Sequence, residues 1–169
     1  MKKVILGATG SIGSSLSKKL VESGDQVHLV GRDEASLSEL ANQLNSTFTT
    51  CDVLEENFSE KIINDLKDEQ VNGLAYCVGS IDLKPLKLTK KSDFMQSFNL
   101  NLVSATEIIK SLADNLKASK GSIVLFSTVA VQQGFPNHAI VSSAKGAVEG
   151  LTLALAAEYA PNIRVNCIA

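Results

Sequence analysis

Gly7-Ala8-Thr9-Gly10-Ser11-Ile12-Gly13 places three glycines at intervals of three between a short apolar run and an amphipathic stretch. Residues of this type at this spacing suit the holding of phosphate on backbone. Glycine tightens the turn, lets N–H groups approach a pyrophosphate and lets the following helix pack close, while the helix N-terminus supplies partial positive charge. A lone glycine triplet also serves as a plain tight turn. The position of this one, between a strand pattern and a helix pattern, favours a dinucleotide. Gly7, Thr9, Gly10, Ser11, Ile12 and Gly13 are therefore the candidate phosphate-binding residues.

The next apolar run ends in Val30-Gly31-Arg32-Asp33. A lone carboxylate at such a tip bonds the ribose 2′-OH of NAD, whereas an arginine suits the 2′-phosphate of NADP. Arg32 comes first, so NADP is the expected cofactor, with NAD possible if Arg32 is only a solvated charge and Asp33 only a helix cap. Asp52, followed by Val53, ends the third apolar run, where its carboxylate can accept from an adenine amino group or simply close a turn. Cys51, Cys77 and Cys167 show no CxxC or Cys/His ligand spacing, so no metal is expected, and three buried thiols fit a reducing cytoplasm.

These residues need a scaffold that brings turns to one edge. Apolar runs at 3–6, 27–30, 47–53, 74–78, 122–126 and 163–168 alternate with helical patterns, the sequence form of a parallel α/β sheet. Ile12, Leu16 and Leu20 recur at helical spacing up to Gly24, and Asp33 can cap the helix carrying Leu37, Leu40, Ala41 and Leu44. Asn57 with Glu60 resembles a capping box. A long helix is predicted over 92–116, with Phe94, Phe98, Leu102, Ala105 and Ile109 in one stripe, and another over 137–159, stopped by Pro161. Six strands with crossover helices predict a doubly wound, three-layer Rossmann fold of order 3-2-1-4-5-6, ligand at the carboxyl ends of the strands. One domain over 1–169 is expected.

The 169 residues carry 16 Lys plus Arg against 18 Asp plus Glu, a net charge of −2 without basic blocks, which argues against nucleic-acid or polybasic membrane partners. Only three strongly apolar residues follow Lys2-Lys3, too few for a signal-peptide core, and no run looks long enough to span a membrane.

Read in order, the glycine turn, Asp52-Val53, Gly79, Asn101-Leu102, Ser127-Thr128-Val129, Lys145 and Ile163-Arg164-Val165-Asn166 resemble the landmarks of the short-chain dehydrogenase/reductases over the whole chain. These are NAD(P)-dependent oxidoreductases. The resemblance implies hydride transfer between nicotinamide and a small carbonyl or alcohol substrate. It makes Thr128 the substrate-orienting hydroxyl and Lys145 the holder of the nicotinamide ribose, with Asn101 anchoring a water relay and Gly79 allowing close approach of the cofactor. It also implies a homodimer or homotetramer built on the two long helices; the other reading of so apolar a helix is burial within one subunit.

Four departures stand out. The glycines are spaced GxxGxxG, with Leu6 before the first. The amides expected after strand four are replaced in Tyr76-Cys77-Val78-Gly79. The family's tyrosine four residues before the lysine is here Val141, in Val141-Ser142-Ser143-Ala144-Lys145, and a valine has no proton to give. His138, three residues before Val141, is a candidate substitute acid, though a histidine near a helix start is more often a solvated or backbone-bonded residue. The expected activity is thus oxidoreduction, with a non-catalytic NADP(H) binder as the alternative. Finally, the chain stops at Ile168-Ala169, where the resemblance implies a substrate-covering loop and a seventh strand, so it reads as the cofactor part of such a protein.

Overall fold

The computed structural model describes residues 1–67 and 69–169. Six strands, β1 (Lys2–Leu6), β2 (Gln26–Gly31), β3 (Thr47–Thr50), β4 (Val71–Tyr76), β5 (Ser122–Phe126) and β6 (Arg164–Ile168), form one sheet in the order β3-β2-β1-β4-β5-β6. Every pairing is parallel, from Leu6 opposite Val30 and Tyr76 at the centre to Phe126 opposite Ile168 at the edge. The expected fold and strand order are those observed. The switch point lies between β1 and β4, whose carboxyl ends carry Gly7 and Cys77.

Alternation along the strands divides the core into two layers. Ile5, Val27, Leu29 and Ala75 face one side, against Leu37, Leu40 and Ala41 of α2 (Glu34–Leu44) and the partly buried Leu16 and Leu20 of α1 (Ser11–Glu22). Val4, Leu6, Leu74, Ile123 and Val165 face the other. There they meet α3 (Phe58–Leu66), α5 (Ser104–Ala118) and Val148 of α6 (Ala139–Tyr159). Gly24, with φ +86°, closes α1 as expected, and the Asp33 carboxylate caps α2 by accepting from Ser36 N at 2.8 Å.

Several local expectations are corrected. Ile12 does not join Leu16 and Leu20 in the core but is half exposed in the first turn of α1, beside the phosphate-binding turn. Strand β3 ends at Thr50 rather than at 53, because the Asp52 carboxylate accepts from Leu54 N at 3.0 Å and turns the chain. Strand β4 runs from Val71 to Tyr76, not over 74–78. Asn57 precedes α3 without a side-chain capping bond. Cys51 is buried, but Cys77 and Cys167 are only partly so. Helix α6 begins at Ala139, and among the described residues it is the one helix long and apolar enough to cross a membrane by length and composition, contrary to the expectation that no run is. Here it packs on β5, β6 and the helical segment 91–103.

The long helix predicted over 92–116 is three pieces: α4 (Lys91–Phe98), a π-helical turn Asn99–Val103, and α5. A π-turn throws carbonyls out of the α-helical ladder and they must find other donors. The Tyr76 hydroxyl donates to Leu100 O at 2.7 Å, Ser104 Oγ to Asn99 O at 2.9 Å and Asn101 Nδ2 to Ser97 O at 2.9 Å. The inserted residue also rotates the apolar stripe. Ala105, Ile108, Ile109, Leu112 and Leu116 are buried, while Phe94, Phe98 and Leu102 are only partly so.

Candidate active site

A cleft of about 720 Å³ lies across the carboxyl ends of β1, β2 and β4 and the turn after β3. Gly7 leaves β1 with φ +72°, and a Cβ there would sit 3.0 Å from the Cys77 carbonyl, so the turn can lie this close to β4 only as glycine. Gly10 precedes α1 without a side-chain cap, and the helix has no acidic residue in its first turn. Its N–H groups and partial positive charge are thus available to a diphosphate. Gly13 lies under the turn: a Cβ would come within 2.2 Å of Gly7 O.

At the far end of the cleft, Arg32 is 75% exposed and its Nη1 reaches Asp52 Oδ2 at 3.5 Å. Asp33 is committed to its cap, and the bonds from Ser36 hold its carboxyl below the ordinary value. A carboxylate engaged in capping is less available to a ribose 2′-OH than the exposed guanidinium of Arg32, held only by its long contact with Asp52, is to a phosphate. Of the predicted binding residues, Gly7, Thr9, Gly10, Arg32, Asp52, Val53 and Gly79 line this cleft. Ser11 and Ile12 sit at the start of α1, and Gly13 packs beneath it.

The remaining predicted residues, Asn101, Thr128, His138 and Lys145, are not among those that line the cleft. Asn101, at the centre of the π-turn, is 1% exposed, and its Oδ1 has no hydrogen-bond partner among the described residues. Lys145 approaches from α6. A Cβ built on Gly79 would lie 3.0 Å from Asn101 Oδ1 and 3.3 Å from Lys145 Nζ, so the two groups converge on one point beside the cleft. Burial pushes the Lys145 ammonium below the ordinary lysine value, against smaller opposing effects of Cys167 and Cys77. Burial also pushes the Cys77 thiol up to about 12, so it stays protonated near Lys145.

Thr128 follows β5 and opens a short 3₁₀ turn, its Oγ1 accepting from Ala130 N at 3.3 Å. The turn is tied down on both sides. Ser127 donates its N–H to Ile168 O at 2.7 Å and its hydroxyl to the Glu149 carboxylate, and Ser142 Oγ donates to Ala130 O at 3.2 Å. Val141 is 3% exposed, one turn before Lys145 on α6. The His138 ring bonds Pro136 O through Nδ1 at 2.8 Å and tilts against Phe135, so it is engaged within its own loop.

Gly31, Leu54, Cys77, Gln96 and Leu100 also line the cleft without having been singled out. Gly31 and Cys77 lie at strand ends and follow from the rule that ligands sit there. Leu100 belongs to the π-turn, for which no sequence signal exists, and Gln96 to α4 just before it.

Residues 7–169 match the family model described as enoyl-(acyl carrier protein) reductase. The bovine (Bos taurus) L-xylulose reductase is 31% identical over 173 residues, covering 99% of this chain and 69% of that protein. The chain is a member of the short-chain dehydrogenase/reductase family. The L-fucose dehydrogenase of Oryctolagus cuniculus is 31% identical over 170 residues, and the match spans 98% of this chain but only 60% of that protein. Among solved structures, the KRED1-Pglu enzyme superposes with a TM-score of 0.95 at 20% identity, covering 99% of this chain and 72% of that one. The L-sorbose reductase of Gluconobacter frateurii, solved with NADPH and L-sorbose, gives 0.92 at 20% identity, covering 98% and 67%. Both share the fold of this short-chain dehydrogenase/reductase.

The residues present fit a nicotinamide dinucleotide. The absence of Cβ atoms lets the glycine turn lie against β4 and the start of α1, Arg32 stands exposed at the β2 tip with only a long contact to Asp52, and the buried Asn101 Oδ1 beside Lys145 has no donor among the described residues.

Proposed function

We propose that this chain binds NADP(H) and acts as an oxidoreductase of short-chain type on a small carbonyl or alcohol substrate held beside Thr128. The observation that carries this reading is the convergence of Asn101 Oδ1 and Lys145 Nζ on Gly79, which lines the same cleft as Arg32. When bound, the reduced dinucleotide supplies a hydride to the carbonyl carbon. Thr128 orients the carbonyl oxygen through its hydroxyl proton, which its bond to Ala130 N leaves free to donate. Lys145 and Asn101 hold the ribose end of the cofactor and keep donors and acceptors fixed there. Arg32 meets the 2′-phosphate. The outer face of α6, where Leu153 is 75% exposed, is the surface we assign to a second copy of the chain. Sedimentation equilibrium should give at least the dimer mass, and a monomer at micromolar concentration would remove this assignment.

A second reading, a binder that retains the cofactor without turning it over, is favoured by one observation: the acid's place is taken by the buried Val141. Titration of the chain with NADPH and NADH, followed by a carbonyl and alcohol panel read at 340 nm, separates the two. The first reading expects turnover by the natural chain. Turnover by Val141→Tyr alone makes the natural chain a non-catalytic binder. Arg32→Ala should cut the preference for NADPH over NADH by about tenfold or more, the worth of one charge-assisted bond, and an unchanged preference would exclude Arg32 as the 2′-phosphate ligand.

A further inference from the structure

We propose that the Lys145 ammonium is itself the acid of this chain, giving its proton directly to the substrate oxygen. The proposal rests on the oxidoreductase reading above.

The groups around the nicotinamide end are nearly all engaged elsewhere. Ser127 donates to Glu149, Ser142 to Ala130 O and Ser143 to Ala139 O. The Tyr76 hydroxyl is spent on Leu100 O, and burial raises its pKa. His138 is bonded to Pro136 O, and Val141 has only methyl groups. Lys145 differs from all of these. No carboxylate pairs with it among the described residues. The titratable groups facing it are Cys77, beyond β4, and Cys167, on β6, and burial keeps both thiols protonated. Its ammonium therefore keeps N–H donors for a ligand.

Burial also brings the ammonium nearer to the pH at which an acid is effective, since catalytic proton transfer is best when the donor titrates close to the working pH. Asn101 Oδ1, buried and without a donor, lies at the same point beside Gly79. It can accept from the amine or from a water that reprotonates it.

In the reducing direction a C–H bond forms at the carbonyl carbon with the hydride of the reduced dinucleotide, and the C=O π pair moves to oxygen. One N–H bond of Lys145 breaks as the O–H bond of the alcohol forms. The neutral amine then takes a proton from water. In the oxidising direction the neutral amine is the base. Lys145 would thus both hold the ribose and move the proton.

Three measurements on the full chain test this. Acetic anhydride labelling over a pH series, read at Lys145 by mass spectrometry, should show an amine that titrates below the surface lysines and is protected by NADPH. Lys145→Arg keeps a cation, so NADPH affinity should stay within about threefold while kcat falls at least ~100-fold, the usual worth of a general acid. Lys145→Ala should regain rate on adding methylammonium, and a merely structural role for the lysine predicts no such rescue. Turnover by Lys145→Arg within about fivefold of the natural chain, or an ordinary titration of Lys145, overturns the proposal alone. Absence of turnover in the natural chain with NADPH bound overturns the oxidoreductase reading, and the proposal with it.

Discussion

Gly13→Ala should lower NADPH affinity by at least about 100-fold and the melting temperature by roughly 6–12 °C. The new Cβ would stand 2.2 Å from Gly7 O, and 2.9 Å from both Ala8 Cα and Gly7 C. All three are backbone atoms, so no side chain can swing aside. Relief requires α1 to move off the sheet or the turn to lift. Overpacking of this kind costs up to about 3 kcal/mol, and a chain of this size loses roughly 2–4 °C per kcal/mol. The binding loss follows from the same displacement, because the amides offered to the diphosphate belong to the turn that must move. Gly150→Ala is the matched control. That glycine lies within α6 with nothing within 4 Å of its Cβ position, so alanine there should stabilise by about 0.5–1 kcal/mol through helix propensity. Differential scanning fluorimetry and NADPH fluorescence titration read both effects. Gly13→Ala protein with native affinity would mean that the turn is not the diphosphate site.

The second large effect concerns acid. His28, in β2, is 1% exposed, with Nδ1 2.8 Å from Thr47 Oγ1 and Nε2 2.9 Å from Thr49 Oγ1 on β3. Thr49 in turn donates to Asp65 of α3 at 2.6 Å, and Lys2 of β1 reaches Thr47 at 3.0 Å and Glu69 at 3.0 Å. Burial, with help from the Lys2 charge and against Asp65 and Glu69, pushes the His28 pKa from 6.5 down to about 4. Between those two values the unfolded chain holds a proton on His28 that the folded chain refuses, so stability falls as pH falls. The contribution is complete above pH 6.5 and is gone near pH 4, and its size is about 3 kcal/mol. Urea unfolding at pH 7.5 and 4.5 should therefore differ more for the natural chain than for His28→Gln, whose amide can bond both threonines but does not titrate. Equal pH dependence in the two would show that His28 protonates freely in the folded state.

That network was illegible beforehand. His28 stands in an apolar run with no polar neighbour closer than Gln26. Its partners come from β1, β3 and α3, and only the register that puts His28 opposite Thr47 assembles them. The π-turn is a similar case. Periodicity in a single stretch cannot show that one residue has been inserted, because the stabilising donor, Tyr76, lies 24 residues away on β4. The misplacement of Ile12 has the same origin. Helical spacing shows that residues share a face but not where the neighbouring helix or strand ends, and the first turn of α1 projects past the core to the ligand edge.

What the amino-acid sequence determined by itself was the alternation of strands and helices, and hence the sheet order, together with the glycine turn and the Asp33 cap. These are settled within a few residues, by backbone sterics and side-chain period. Tertiary structure alone decided that Asn101 and Lys145 meet at Gly79, that Asn101 keeps an unpaired oxygen there, and that Ser127 ties the Thr128 turn to Glu149. Those outcomes depend on packing α5 and α6 against one sheet face and α4 against α6. Burial and the pairing of polar atoms are properties of that packing, and no local spacing encodes them.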